Sequence, residues 1–119
     1  RETLRVVCDQ VGTPTYAGDL ALGIFSIIES GLYKGNEGIY HFTDEGVCSW
    51  YDFAVEIAAA AGHTRCRIEP CRTEEYPTPA YSVLDRSKLK HTFGIEIPHW
   101  RESMLYCLRQ IGQTEPELL

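Results

Sequence analysis

The chain has 119 residues, a formal net charge of -6 and an apolar fraction of 44%, which is one domain or part of one. That apolar fraction excludes intrinsic disorder. The acidic balance, with no run of Lys or Arg, speaks against nucleic acid and anionic membranes as partners.

No apolar run reaches the length of a bilayer span, and no signal peptide is expected. The opening Arg1-Glu2-Thr3-Leu4-Arg5 reads as an excerpt of something longer. The five cysteines, Cys8, Cys48, Cys66, Cys71 and Cys107, are odd in number and form no framework. They fit a reduced, cytosolic protein with buried thiols. Cys66 and Cys71, with His63 before them, lack the tight paired spacing of a zinc site, so no metal is expected there.

In chain order, Leu4 to Asp9 is expected to be a strand, since Val6 and Val7 favour a pleated backbone. Gly12 and Pro14 then make a rigid turn, and Asp19 to Ser30 follows as a helix that stops at Gly31. Thr15 is a candidate N-cap, and Asp19 sits where the helix dipole favours negative charge. Leu20, Ala21, Ile24, Phe25, Ile27 and Ile28 cover more than one face of that helix, which calls for partners on two sides.

Gly38 to Thr43 reads as a second strand of a sheet covered on both faces. Ser49 to Ala61 is the clearest helix: Ser49 and Asp52 resemble a capping box, Trp50 and Phe53 are core anchors, and Gly62 stops it. Cys66 to Cys71 is a candidate strand, followed by a proline-punctuated loop from Thr73 to Ala80. A short helix starts at Leu84-Asp85, carries Leu89 and Phe93 one turn apart, and ends at Gly94. Pro98 opens the last helix, striped with Trp100, Met104, Cys107, Leu108 and Ile111 and ending at Gly112, before a frayed tail over 113–119. The pattern is β-α-β-α-β-α-α: parallel strands with crossover helices, then a smaller α+β lobe.

The residues hold no complete catalytic apparatus. There is no Gly-x-Gly-x-x-Gly turn, no Ser-centred nucleophile elbow and no His-Glu-x-x-His. His41 reads as a packed or hydrogen-bonded histidine, and His63, His91 and His99 as exposed. The adjacent pair Glu74-Glu75 says little about acid or base work.

Two sets of motifs carry a resemblance. The first is Val7-x-Asp9-Gln10-x-Gly12-x-Pro14-Thr15-Tyr16-x-x-Asp19-Leu20-Ala21. The second runs through Gly38-Ile39-Tyr40-His41-Phe42, Gly46-x-x-Ser49-Trp50-Tyr51-Asp52-Phe53-Ala54 and Glu75-Tyr76-Pro77-Thr78-Pro79-Ala80 to Tyr81-Ser82-x-Leu84-Asp85-x-x-Lys88, Phe93-Gly94-Ile95 and Pro98-x-Trp100-Arg101. Over residues 4 to 111 the chain resembles the C-terminal part of the dTDP-4-dehydrorhamnose reductases, in the extended short-chain dehydrogenase/reductase group. The resemblance implies an α/β fold: the last strands and helices of a Rossmann-like sheet plus a small α+β substrate lobe, with residues 1–112 as the substrate-binding part.

It further implies a cytoplasmic enzyme that reduces the 4-keto group of dTDP-4-dehydro-L-rhamnose with NADPH or NADH. In the family an N-terminal Rossmann domain holds the cofactor, and its Tyr-x-x-x-Lys pair carries proton transfer; neither is in these residues. No catalytic, cofactor-binding or metal-binding residue is therefore carried over. The expected substrate contacts are Gln10, Thr13, Pro14 and Thr15 in the first turn and Tyr76 and Tyr81 in the later loop. Thr15 could equally serve as a helix cap, Gln10 as a turn residue, and either Tyr as packing. A dTDP-sugar is the implied partner, with a homodimer and a divalent metal both known in the family.

The family usually has an Arg-Pro-like insert where Ala80 here joins Tyr81 directly. The expectation is that a mobile stretch belongs at that junction, since an Arg there would suit a diphosphate. The competing readings are a non-catalytic regulatory subunit of the same superfamily, of the methionine adenosyltransferase type, and another extended-group sugar-nucleotide epimerase or reductase.

Overall fold

The expected first strand forms, but in two pieces. In the computed structural model, which describes residues 2–63, 65–75 and 79–114, β1 (Thr3–Val7) breaks at Cys8–Gln10 and resumes as the short β2 (Val11–Gly12). The break lets the two pieces serve different sheets. β1 pairs in parallel with β4 (Arg67–Cys71), in register from Thr3↔Arg67 to Val7↔Cys71. β2 pairs antiparallel with β3 (Cys48–Ser49).

Gly38 to Thr43 is not a strand, contrary to the expectation from its composition. It is held instead against the Lys88–Phe93 segment: the Lys88 ammonium donates to the Ile39 carbonyl at 2.9 Å, and the Tyr40 ring packs on Phe93 with centroids 5.0 Å apart. His41, expected to be packed or hydrogen-bonded, is exposed, which rules out the packed alternative. His63, His91 and His99 are exposed as read.

The helices follow the sequence closely. α1 (Ala17–Ser30) ends at Gly31 with φ of 72°. Its N-cap is Tyr16, not Thr15, and no side chain of the cap residue bonds back. α2 (Trp50–Ala61) is capped by Ser49 Oγ, which accepts the Asp52 N–H at 3.0 Å, and closes at Gly62. In α3 (Ser87–Phe93) the Asp85 carboxylate accepts the Ser87 N–H at 2.8 Å, and Gly94 ends the helix. α4 (Trp100–Thr114) starts two residues after Pro98 and runs through Gly112. Gly112 does not take the left-handed conformation that stops the other helices, so it costs only propensity, ~1 kcal/mol. The tail beyond Thr114 lies outside the described residues.

The core is small and lies between α2 and α4. Cys48, Trp100 and Met104 are buried, with Phe53, Ile57, Leu105 and Leu108 packed against them. Phe53 meets Trp100 edge to face at 5.8 Å, the geometry aromatic pairs prefer. Burial pushes the Cys48 thiol up to about 11, so it behaves as a packing group.

α1 has no such cover. Only Gly23 is buried, under the Phe42 ring, while Leu22, Phe25 and Ile28 are each about three-fifths exposed. The radius of gyration, 16.9 Å, exceeds the ~13.5 Å expected of a compact chain this long. The two-sided apolar helix is thus a helix whose apolar faces find few partners within these residues.

Candidate functional site

The two segments singled out from sequence, the first turn and the loop before Tyr81, meet at Val11. Its N–H donates to the Ala80 carbonyl at 2.8 Å, and its carbonyl accepts the Ser82 N–H at 2.9 Å. Those bonds set Tyr81 beside Val11 as a parallel bridge, while the other edge of β2 is paired to β3. Gly12 is buried here because a Cβ would lie 2.7 Å from Ser82 Oγ and 3.2 Å from the Trp50 ring. The chain passes from Ala80 to Tyr81 without interruption, and both flanks are held by Val11.

Tyr81 is 69% exposed on this rim, whereas Gln10 is 2% exposed and faces inward. Tyr76 lies outside the described residues. Thr13, Pro14 and Thr15 form a turn clamped by the loop over residues 43–46. Thr13 Oγ1 donates to the Gly46 carbonyl at 2.7 Å, Thr15 Oγ1 accepts the Asp44 N–H at 3.2 Å, and Asp44 Oδ2 accepts the Tyr16 N–H at 3.0 Å. Pro14 and Thr15 line an apolar groove of about 410 Å³, floored by Phe53, Trp100 and Met104.

Charge is concentrated behind the rim. Asp9 takes two hydrogen bonds from Thr73, and these, more than the nearby Arg72, hold its carboxyl below the usual range. Glu45 is held low by Lys90 and Arg86, at 2.7 and 2.9 Å. Asp44 goes the other way: burial first, then the neighbouring Asp19 carboxyl, push it up to about 7. Ser103 Oγ donates to Asp19 in turn. Sequence reasoning missed Asp44, Ser103 and the Glu45–Arg86 pair. Asp44-Glu45-Gly46 reads as an ordinary polar turn, and nothing local shows that it would be buried against α1.

The residues do not fit a dinucleotide. The junction entering α1, where a pyrophosphate would seek free N–H groups, already presents the Asp44 carboxyl to the Tyr16 N–H, with Asp19 beside it. Among the described residues no group of three His, Cys, Asp or Glu side chains could hold a metal ion, and no helix is long and apolar enough to cross a membrane.

A parallel strand pair whose turn carries a helical lobe and a tyrosine-bearing rim, with no dinucleotide cradle among the described residues, suits a ligand-binding lobe. The family model described as "RmlD substrate binding domain" matches residues 1–112. The chain belongs to this family. It is 40% identical over 114 residues to the spore coat polysaccharide biosynthesis protein SpsK of Bacillus subtilis, covering 92% of this chain and 38% of that one. To the dTDP-4-dehydrorhamnose reductase of Burkholderia thailandensis it is 36% identical, covering 93% and 43%.

A solved dTDP-4-dehydrorhamnose reductase from Clostridium acetobutylicum superposes with a TM-score of 0.82 at 41% identity, over 93% of this chain and 39% of that one. The Bacillus anthracis enzyme, solved with NADP, gives 0.81 at 32% identity over 92% and 38%. The chain thus spans about two fifths of the length of the relatives it matches.

Proposed function

We propose that the 119 residues are the substrate-binding portion of an NADPH-dependent reductase that converts dTDP-4-dehydro-L-rhamnose to dTDP-L-rhamnose, a precursor for cell-surface polysaccharide. The observation that carries this reading is the match to the substrate-binding family model across residues 1–112. The NADP bound in the Bacillus anthracis relative supports the cofactor. In this reading the cofactor is held outside the 119 residues, whose described part offers no dinucleotide cradle. A cytoplasmic setting follows, where reduced nicotinamide is at hand and the five free thiols stay reduced.

The contribution of this chain is binding and orientation. Tyr81 offers an exposed ring and hydroxyl for a sugar or base. In this reading the Thr13–Thr15 turn, Gln10 and Tyr76 complete the substrate contacts. Holding a 4-keto sugar in reacting geometry accounts for several kcal/mol of a barrier, which gives a lobe without catalytic groups a direct effect on rate.

The sugar itself has a second reading. Relatives include a Streptomyces niveus dTDP-4-keto-6-deoxy-D-glucose reductase at 31% identity, so a different dTDP-4-keto-6-deoxy sugar fits the same lobe. The test is NADPH oxidation by the full-length protein with each dTDP-4-keto sugar. Consumption dependent on the rhamnose precursor supports the first reading, and preference for another sugar supports the second. Binding without turnover of any of them overturns both in favour of a regulatory subunit. The isolated 119 residues are expected to oxidise no NADPH above a buffer blank.

A further inference from the structure

Asp44 is 0% exposed, and its Oδ1 has no hydrogen-bond donor. Its other oxygen accepts the Tyr16 N–H at 3.0 Å, and its own N–H donates to Thr15 Oγ1 at 3.2 Å. The carboxyl of Asp19 stands next to it, and that group accepts a hydrogen bond from Ser103 Oγ. A carboxylate buried as fully as Asp44 cannot stay ionised beside the half-buried Asp19 carboxylate without strong repulsion. A buried acceptor with no donor is also costly. One proton resolves both difficulties.

Among the described residues no cation pairs with either carboxylate. From α1 come Asp19 and the Tyr16 N–H; from α4 come Ser103 and, lining the adjoining cavity with Asp19, Glu102 and Arg109. Arg86 reaches Thr43 beside Asp44 with one Nη and Glu45, which Lys90 also holds, with the other, while its buried Nε makes no hydrogen bond to Asp44 or to any other described group.

We propose that Asp44 is held protonated and donates from its carboxyl to Asp19, so that a single proton fastens the Thr13–Tyr16 turn to α1 and α4. Asp44 is then a positioning residue: it touches no substrate, but sets the turn that the proposed binding site uses. The functional half of this inference rests on the dTDP-sugar reading; the proton itself does not. Ionisation puts two negative charges together at the entry to α1 and loosens the turn. Above neutral pH the protein should therefore hold a dTDP-sugar less well.

The sign follows from linkage. Asp44 binds its proton more tightly folded than unfolded, so its stabilisation is full below the ordinary carboxyl range and is lost as pH rises towards 7. The experiment is denaturant unfolding of the full-length protein as a function of pH, with Asp44→Asn and Asp44→Ala, alongside dTDP affinity in the same buffers. In the parent the unfolding constant is expected to rise by up to about tenfold per pH unit between about pH 5 and 7. Asp44→Asn, whose amide donates to Asp19 as the protonated acid does, should remove that slope, match or exceed the parent above pH 7, and bind dTDP without pH dependence. Asp44→Ala should be weaker throughout. An unchanged slope in Asp44→Asn, or a loss equal to that of Asp44→Ala, overturns the proposal. If no variant binds dTDP while the slope behaves as expected, the substrate reading fails and the proton stands.

Discussion

Thr73 gives both of its donors to one carboxylate, its N–H to Asp9 Oδ2 at 3.2 Å and its hydroxyl to Asp9 Oδ1 at 2.6 Å. This clasp joins the turn after β1 to the segment leaving β4, and so frames the start of the rim from both sides. Because it holds the Asp9 carboxyl low, its stabilisation is present above the unfolded carboxyl value and is lost as pH falls through the folded one. Thr73→Val should therefore destabilise the protein at neutral pH and cost progressively less in acid. Parallel urea titrations at neutral and acid pH measure the difference; an equal loss at both would show that the hydroxyl serves packing alone.

Gly46 has φ of 83°, and a Cβ there would run into the His99 ring. Its carbonyl also receives the Thr13 hydroxyl. Gly46→Ala should cost ~1–2 kcal/mol for the left-handed backbone alone, with the clash in addition. His99→Ala in the same chain should recover the clash and leave the backbone part. A double-mutant cycle on thermal or denaturant unfolding separates the two, and full recovery would show that the backbone strain is negligible.

The helices were legible because their signals are local. Ser49 with Asp52, Gly31, Gly62 and Gly94 fix ends through neighbours a few residues away, and each behaves as its chemistry dictates. Two strands were legible as well, Leu4 to Asp9 as β1 and Cys66 to Cys71 as β4, but their pairing was not, because it is decided by distant partners. Gly38 to Thr43 has a strand's composition, yet within these residues its carbonyl at Ile39 is taken by Lys88 from α3. The turn at Gln10 to Thr15 and the loop at Tyr81 were each visible as candidates, but their meeting at Val11 was not. Nor was Asp44, whose burial depends on Asp19 and Ser103, 25 residues before it and 59 after it in the chain.

Arg86 is 15% exposed and bridges Glu45 at 2.9 Å and Thr43 Oγ1 at 2.8 Å, tying α3 to the loop that clamps the turn. Arg86→Met keeps the length of the stem and removes the charge. The expected loss is ~1–3 kcal/mol, since Glu45 keeps Lys90 but loses a part-buried partner. The loss should shrink as pH drops below the range in which Glu45 is ionised. The control is Glu45→Gln: in that background Arg86→Met should cost clearly less, and an undiminished cost would assign the effect to the stem's packing.

Phe25 and Ile28 are 59% and 61% exposed on the uncovered side of α1, and their neighbour Leu22 extends the same apolar strip at 65%. An exposed strip of this kind is an association surface when nothing covers it. The isolated 119 residues should therefore self-associate with rising concentration. Phe25→Lys with Ile28→Lys should abolish this while shifting unfolding by no more than ~0.5 kcal/mol, because the side chains removed are already in water. Sedimentation across a concentration series reads the association, and denaturant unfolding reads the stability. Association that survives both substitutions would place the contact elsewhere on the lobe. A large loss of stability would show that the strip is packed within the chain after all.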